Sequence, residues 1–277
     1  MSPTVWTAGI YNLFTGGLVN LIRGKAVPGE NGEALLVGLG FIVVIVLSYL
    51  LGSVNWAIVV SRVFYHDDIR RHGSGNAGTT NVLRTYGKKA AIVTFLGDGL
   101  KGVLSIVLAC LIFGFPMAGG ITEAGYATYD IRYIHLVTAA YLAAFFAMLG
   151  HIFPIFSKFR GGKGFATFLF TVMALNPIIC LMLIAIFVII VSGTHYVSLG
   201  SIVTVAFYPI LLGSFDGAVS GYGVNTLFAF LMGAIVVWSH RANLRRLLNR
   251  EESKTYFFKK KKTEPKEPQT EETEEKA

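Results

Sequence analysis

The sequence predicts an all-α, polytopic transmembrane helical protein with seven spans, on three observations. Of its 277 residues, 53% are hydrophobic and 14% charged, against roughly 25% charged in soluble domains. The apolar residues fall into runs near the ~20 residues a membrane-crossing helix needs. Basic residues gather in a few of the intervening loops, as they do on the inner side of a membrane.

Three runs, about 35–62, 90–115 and 135–156, are long enough to cross a bilayer. Two more, about 197–214 and 224–239, are shorter but continuous. The stretch 164–192 is too long for one span and is broken by Asn176-Pro177, a pair that interrupts helices. Charge decides how often it crosses. Arg62, Arg70, Arg71, Arg84, Lys88 and Lys89 crowd the loop after the first span; Lys158, Arg160 and Lys163 follow the third; Arg241, Arg245, Arg246, Arg250 and Lys254 follow the last. All three clusters share one side only if 164–192 crosses twice, at about 164–175 and 177–192. The expected topology therefore has the N-terminus outside and the C-terminus cytoplasmic. The short fourth crossing calls for thinned bilayer or shielding by neighbours.

Residues 35–250 form the expected membrane domain, between a 1–34 extension and a 251–277 charged tail. The extension has the apolar residues for a helix lying on the outer surface, or is simply unstructured. It lacks the pattern of a cleaved signal peptide. The tail from Thr263 is almost purely polar and is expected to be disordered. Membrane topology accounts for the net charge of +8 better than a nucleic-acid partner does. Cys110 and Cys180 lie in apolar runs, so neither a disulfide nor a metal site is expected.

Three polar motifs interrupt this apolar background. The first is the run Gly73-Ser74-Gly75-Asn76-Ala77-Gly78-Thr79-Thr80-Asn81-Val82-Leu83-Arg84. Glycines let main-chain N–H groups approach a phosphate, the side chains of Ser74, Asn76, Thr80 and Asn81 offer neutral hydrogen bonds, and Arg84 adds a cationic fork. A tight turn packed between helices is the plainer alternative. The Gly-Lys-Ser/Thr ending of a Walker loop is missing. The second motif, Gly161-Gly162-Lys163-Gly164, places a lysine at a helix start, where anions bind. Its alternative is an ordinary positive-inside turn.

The third motif is His240-Arg241-Ala242-Asn243, where the last span ends. If the helix continues, His240 and Asn243 share one face and Arg241 and Arg245 another. An interfacial stop sequence with snorkelling arginines is the alternative. Asp98 and Lys101 sit inside the second apolar run at i, i+3 spacing, suiting a structural ion pair or a supporting part of a site. His151, near the end of the third span, reads as structural. Gly52-Ser53-Val54-Asn55 interrupts the first span.

Taken together, these residues resemble the bacterial acyl-phosphate:glycerol-3-phosphate acyltransferases over roughly residues 38–250, with that family's three motifs in order. The resemblance implies transfer of a fatty acyl group from acyl phosphate to the 1-hydroxyl of sn-glycerol 3-phosphate, giving lysophosphatidic acid and phosphate. It implies a bacterial cytoplasmic-membrane enzyme with its site on the inner face, no cofactor and no obligate protein partner. By the same analogy Ser74, Arg84, Lys163, His240 and Asn243 carry the reaction. Gly73, Gly75, Asn76, Gly78, Thr80, Asn81, Gly161, Gly162 and Arg241 bind substrate phosphate, with Asp98 and Lys101 in support. The chain departs from the family at both ends, at Gly52-Ser53-Val54-Asn55-Trp56, and at Arg250, where a Gly often closes the third motif.

A His-x4-Asp acyltransferase is excluded, since no His has an Asp five positions later. A CDP-alcohol phosphotransferase needs several spaced aspartates, and Asp98-Gly99 alone does not supply them. The rival from another class is a transporter for phosphate-bearing solutes. Such a protein should gather its polar residues at the midplane, and here they gather toward one face.

Overall fold

The computed structural model describes residues 18–19, 30–114, 131–216 and 223–255, and all regular structure among them is helical. The helices are α1 (Glu30–Ser53), α2 (Trp56–Tyr65), α3 (Thr79–Tyr86), α4 (Lys88–Phe113) and α5 (Ile131–Ile152). They continue with α6 (Phe165–Leu175), α7 (Pro177–Thr194), α8 (Val197–Asp216), α9 (Val224–Ser239) and α10 (Arg241–Leu248). The expectations for the extension before residue 30 and for the tail beyond residue 255 lie outside the described residues, apart from residues 18–19.

Five helical stretches are long and apolar enough to cross a membrane: Ala34–Tyr65, Lys88–Phe113, Ile134–Ser157, Pro177–Thr194 and Val197–Phe215. The bent pair α9 and α10 makes a sixth, and α6 is a shorter apolar helix. At ~1.5 Å per residue, α6 reaches only about 16 Å, half of a ~30 Å hydrocarbon core.

The first span is broken at Val54-Asn55. Asn55 turns out of the helix with extended backbone and caps α2, its Oδ1 accepting the Ile58 N–H at 3.0 Å. A break of this kind frees carbonyls that apolar surroundings cannot satisfy. Lys101 supplies the partners, its Nζ donating to Gly52 O at 2.8 Å and Val54 O at 2.9 Å. The second break, at Asn176, has no side-chain cap, and its amide is met from neighbouring helices instead. Asn176 Oδ1 accepts Tyr141 Oη at 2.9 Å and Tyr208 Oη at 3.0 Å, while Pro177 opens α7 where its missing N–H costs nothing.

The helices meet through small residues. A Cβ on Gly52 would stand 2.1 Å from Ala147 O, and one on Gly150 would stand 2.2 Å from Tyr49 O. Backbones of α1 and α5 therefore touch, the packing that membrane helices favour where lipid removes the hydrophobic drive. The core is filled by Met148, Phe168, Leu183, Tyr208, Leu212 and Met232, all fully buried.

Candidate active site

One large cavity, about 1390 Å³, gathers residues from all three motifs. Its polar wall contains Gly73, Ser74, Asn76, Gly78, Thr80, Asn81, Arg84, Lys163, His240 and Asn243, with Asp98 and His151 among the other lining residues. Ile92, Phe95, Phe165, Leu169 and Phe187 form an apolar part of the same wall.

The first motif is held open from inside. Gly73 and Gly75 adopt positive φ (54° and 71°), which a Cβ would strain. Asn81 is buried at the centre of the turn. Its Oδ1 accepts the Ser74 N–H at 3.1 Å, and its Nδ2 faces Ile69 O, His72 O and Asn76 O at 2.9–3.2 Å. Asn81 thus braces the loop with both ends of its amide. Ser74 stays exposed on the cavity wall. Arg70 joins this loop to the next: it forks onto Asp68 and its Nη1 donates to Ser157 O at 3.3 Å.

In the second motif the glycines serve packing. A Cβ on Gly161 would fall 2.0 Å from His151 O, and one on Gly162 would fall 2.1 Å from His151 Nε2 and 2.7 Å from Ala77 O. Neither lines the cavity. Gly164, at φ 83°, is the residue before α6, and Lys163 ahead of it reaches the cavity. Burial pushes the Lys163 ammonium down to about 8; Glu252 opposes that shift, and Arg246 and Arg84 reinforce it.

The third motif does not continue as one straight helix. The chain bends by 59° between α9 and α10, with His240 at the joint. His240 and Asn243 are nevertheless both buried against the cavity. His240 Nδ1 lies 2.8 Å from Val236 O and must donate there, which in the neutral ring leaves Nε2 as the acceptor nitrogen. Ser239 Oγ donates to Lys163 O at 2.9 Å and ties the second and third motifs together. Arg241 does not line the cavity. Its guanidinium lies 4.1 Å over the Trp238 ring, and Nη1 donates to Trp238 O at 3.2 Å.

Gly75 likewise does not line the cavity, and of the buried pair only Asp98 does. Lys101 and Asp98 form the ion pair that their spacing predicts, at 3.0 Å.

Several cavity residues lie outside the sequence expectations. The short segment after α10 folds back onto the site instead of leaving it. Glu252 Oε1 accepts Asn243 Nδ2 at 2.6 Å and Ser198 Oγ at 2.8 Å, and Oε2 accepts Arg246 Nε at 2.8 Å. Burial opposes ionisation of Glu252, but these donors hold its carboxyl below the usual range. Arg84 Nη2 donates to Ser253 O at 3.1 Å and Thr255 Oγ1 at 2.8 Å. The signal available in the sequence was an acidic pair, Glu251-Glu252, directly after a basic helix.

The fold and this cavity define a multi-pass helical membrane protein that gathers cations, an imidazole and an apolar wall around one cavity. Residues 42–250 match the family model described as glycerol-3-phosphate acyltransferase. The chain belongs to that family. It is 40% identical over 214 residues to the glycerol-3-phosphate acyltransferase of Clostridioides difficile (strain 630), covering 77% of this chain and 95% of that one. It is 38% identical over 217 residues to glycerol-3-phosphate acyltransferase 2 of Bacillus cereus (strain ZK / E33L), covering 78% and 96%. A crystal structure of PlsY (YgiH), an integral membrane glycerol 3-phosphate acyltransferase in its glycerol 3-phosphate form, superposes with a TM-score of 0.63 at 30% identity. That match covers 78% of this chain and 96% of the other.

Proposed function

We propose that this chain transfers a fatty acyl group from acyl phosphate to the 1-hydroxyl of sn-glycerol 3-phosphate, forming lysophosphatidic acid and inorganic phosphate. The observation that carries the reading is the composition of one cavity: Ser74, Arg84, Lys163, His240 and Asn243 share it with Phe95, Phe165, Leu169 and Phe187. Two phosphates need cations and hydrogen-bond donors close together, and an acyl chain needs an apolar wall. Ile92 lines the cavity while 59% exposed, so the apolar part reaches the lipid-facing surface of α4.

The glycerol hydroxyl attacks the acyl carbon directly, the carbon–oxygen bond to phosphate breaks, and phosphate leaves with the electron pair. The donor is already activated. Positioning and charge stabilisation therefore supply most of the rate, with a phosphate oxygen or His240 Nε2 taking the hydroxyl proton. Arg84 and Lys163 supply positive charge to the phosphates in the cavity they share, while Asn243 Nδ2 is held by Glu252.

Seven crossings, with α6 as the short fourth, keep all three basic loops on the cytoplasmic side of a bacterial cell membrane, where both phosphorylated substrates would be met. Purified protein given acyl phosphate and glycerol 3-phosphate should release lysophosphatidate and phosphate in equal amounts. Turnover with acyl-CoA or acyl carrier protein but not with acyl phosphate would overturn the donor assignment. Acyl-enzyme trapped after acyl phosphate alone would overturn direct attack in favour of a covalent acyl-Ser74.

A further inference from the structure

The strap after α10 puts a negative charge into a cavity whose proposed ligands are anions. Glu252 lines that cavity with its side chain 7% exposed. Its carboxylate takes the hydroxyl hydrogen of Ser198, the Nε–H of Arg246 and one amide hydrogen of Asn243, at 2.6–2.8 Å. All three donors line the cavity too, and Lys163 is near enough for its charge and that of Glu252 to act on each other. With its carboxyl held below the usual range by these donors, Glu252 is ionised at neutral pH.

A carboxylate held this way uses the groups that a phosphate would use. Two anionic oxygens meeting a guanidinium and neutral donors are what one edge of a phosphate presents. A phosphate seated beside Glu252 would meet like charge at a poorly solvated wall, with Ser198 Oγ and Arg246 Nε already spent. The side chain can leave without undocking the strap. Residues 251–255 carry no regular structure, so no helix fixes Glu252. The anchor lies three residues on, where the Thr255 N–H donates to His195 O at 2.9 Å and Thr255 Oγ1 accepts Arg84 Nη2 at 2.8 Å. Rotation about the side-chain bonds of Glu252 breaks neither contact. Glu252 also lies beyond the 42–250 span that matches the family model, so the family match does not account for it.

We propose that Glu252 is an intramolecular competitor of substrate phosphate: its carboxylate occupies the Ser198, Asn243 and Arg246 donors in the empty site and swings out when a phosphate takes them. Naming the displacing anion as a substrate phosphate rests on the acyl-transfer reading given above. Such a contact keeps three donors converged while the site is empty, and it raises the phosphate concentration needed to fill it.

The test is calorimetric binding of inorganic phosphate to the full chain in detergent, without acyl donor. It compares the native protein with Glu252→Gln, Glu252→Ala and Glu251→Gln. Glu251 is the exposed neighbour and controls for net charge. In Glu252→Gln the amide oxygen stays with Ser198 and Asn243, while the NH2 faces Arg246 Nε and releases it. Both Glu252 variants should bind phosphate at least about fivefold more tightly than the native protein, the scale of one charge-assisted contact that no longer competes. Glu251→Gln should change the affinity by less than about twofold, since solvent and salt screen its charge.

Unchanged or weaker phosphate binding in the Glu252 variants would mean that the carboxylate only positions Asn243 and Arg246, and would overturn the proposal even if acyl transfer is observed. Equal tightening in Glu251→Gln would overturn it as well, because net charge alone then explains the gain. Tighter binding in the Glu252 variants without acyl transfer would support the competitor and sink the acyl-transfer reading instead. Failure of all four proteins to bind phosphate would overturn the proposal. If one Glu252 variant does not purify as a monodisperse protein, the other decides.

Discussion

Arg84 and Thr255, 171 positions apart in the chain, are joined by a 2.8 Å hydrogen bond from Nη2 to Oγ1 at the wall of the cavity. The same nitrogen donates to Ser253 O, and the Thr255 N–H donates to His195 O at 2.9 Å. Residues beyond the last helix thereby orient the cationic fork of the first motif. Arg84 is exposed, so the bond is screened and its energy modest. Thr255→Val should raise the KM for the phosphorylated substrates by about two- to fivefold, roughly 0.4–1 kcal/mol, with a smaller effect on kcat. Steady-state kinetics with each substrate varied would show it, and an unchanged KM would remove Thr255 from the site.

Truncating the side chains proposed to touch substrate should be far more damaging. Ser74→Ala, Arg84→Ala, Lys163→Ala and Asn243→Ala are each expected to lower kcat/KM at least about tenfold, or 1.4 kcal/mol. Initial rates of phosphate release measure this. Near-native rates in any one variant would strike that residue from the reaction.

Gly162→Ala should act differently. Its new Cβ would meet His151 Nε2 and Ala77 O, so the change strikes the packing between the second motif and α5. We expect a loss of thermal stability of about 1–3 kcal/mol, as for overpacked cores. A variant with native melting behaviour and only a raised KM would show instead that Gly162 cradles phosphate.

The contrast between these glycines and Lys163 shows where the sequence was readable. Span limits follow from apolar run length, so the run 224–239 coincides with α9 and 177–192 falls two residues short of the end of α7. The interruption at Gly52-Ser53-Val54-Asn55 was legible as a polar patch inside an apolar run, and the break at Asn176-Pro177 because proline interrupts a helix. The bend at His240 was not, since nothing in His240-Arg241-Ala242-Asn243 forbids a continuous helix. Glu252 and Thr255 were hidden for another reason. Composition predicts whether a tail can build a core of its own, and it is blind to a short strap satisfied by donors from Ser198, Asn243, Arg246 and Arg84.

Lys101 is expected to matter for folding more than for turnover. Its ammonium bridges Gly52 O and Val54 O at the break in the first span to Asp98 Oδ1 at 3.0 Å and His151 Nδ1 at 2.8 Å. Lys101→Met strands two carbonyls and a buried carboxylate, which should destabilise the protein by about 3–5 kcal/mol. Asp98→Asn keeps an oxygen acceptor for Lys101 and removes only the negative charge, and it should be milder. Thermal unfolding in detergent would rank them, and the reverse order would contradict this account of the break.

The acid–base state of Lys163 sets the last expectation. Burial lowers its ammonium to about 8 in the substrate-free site, so the side chain is cationic below that pH and neutral above it. A neutral amine attracts phosphate weakly, so kcat/KM should fall as pH rises through about 8 and be restored as pH is lowered. Since kcat/KM reports groups of the free enzyme, the limb should appear there even if bound phosphate keeps the lysine protonated during turnover. Lys163→Arg carries a charge that does not titrate in this range. Its kcat/KM profile should therefore lose the alkaline limb whatever its absolute rate. A limb that persists in Lys163→Arg would assign the titration to another group.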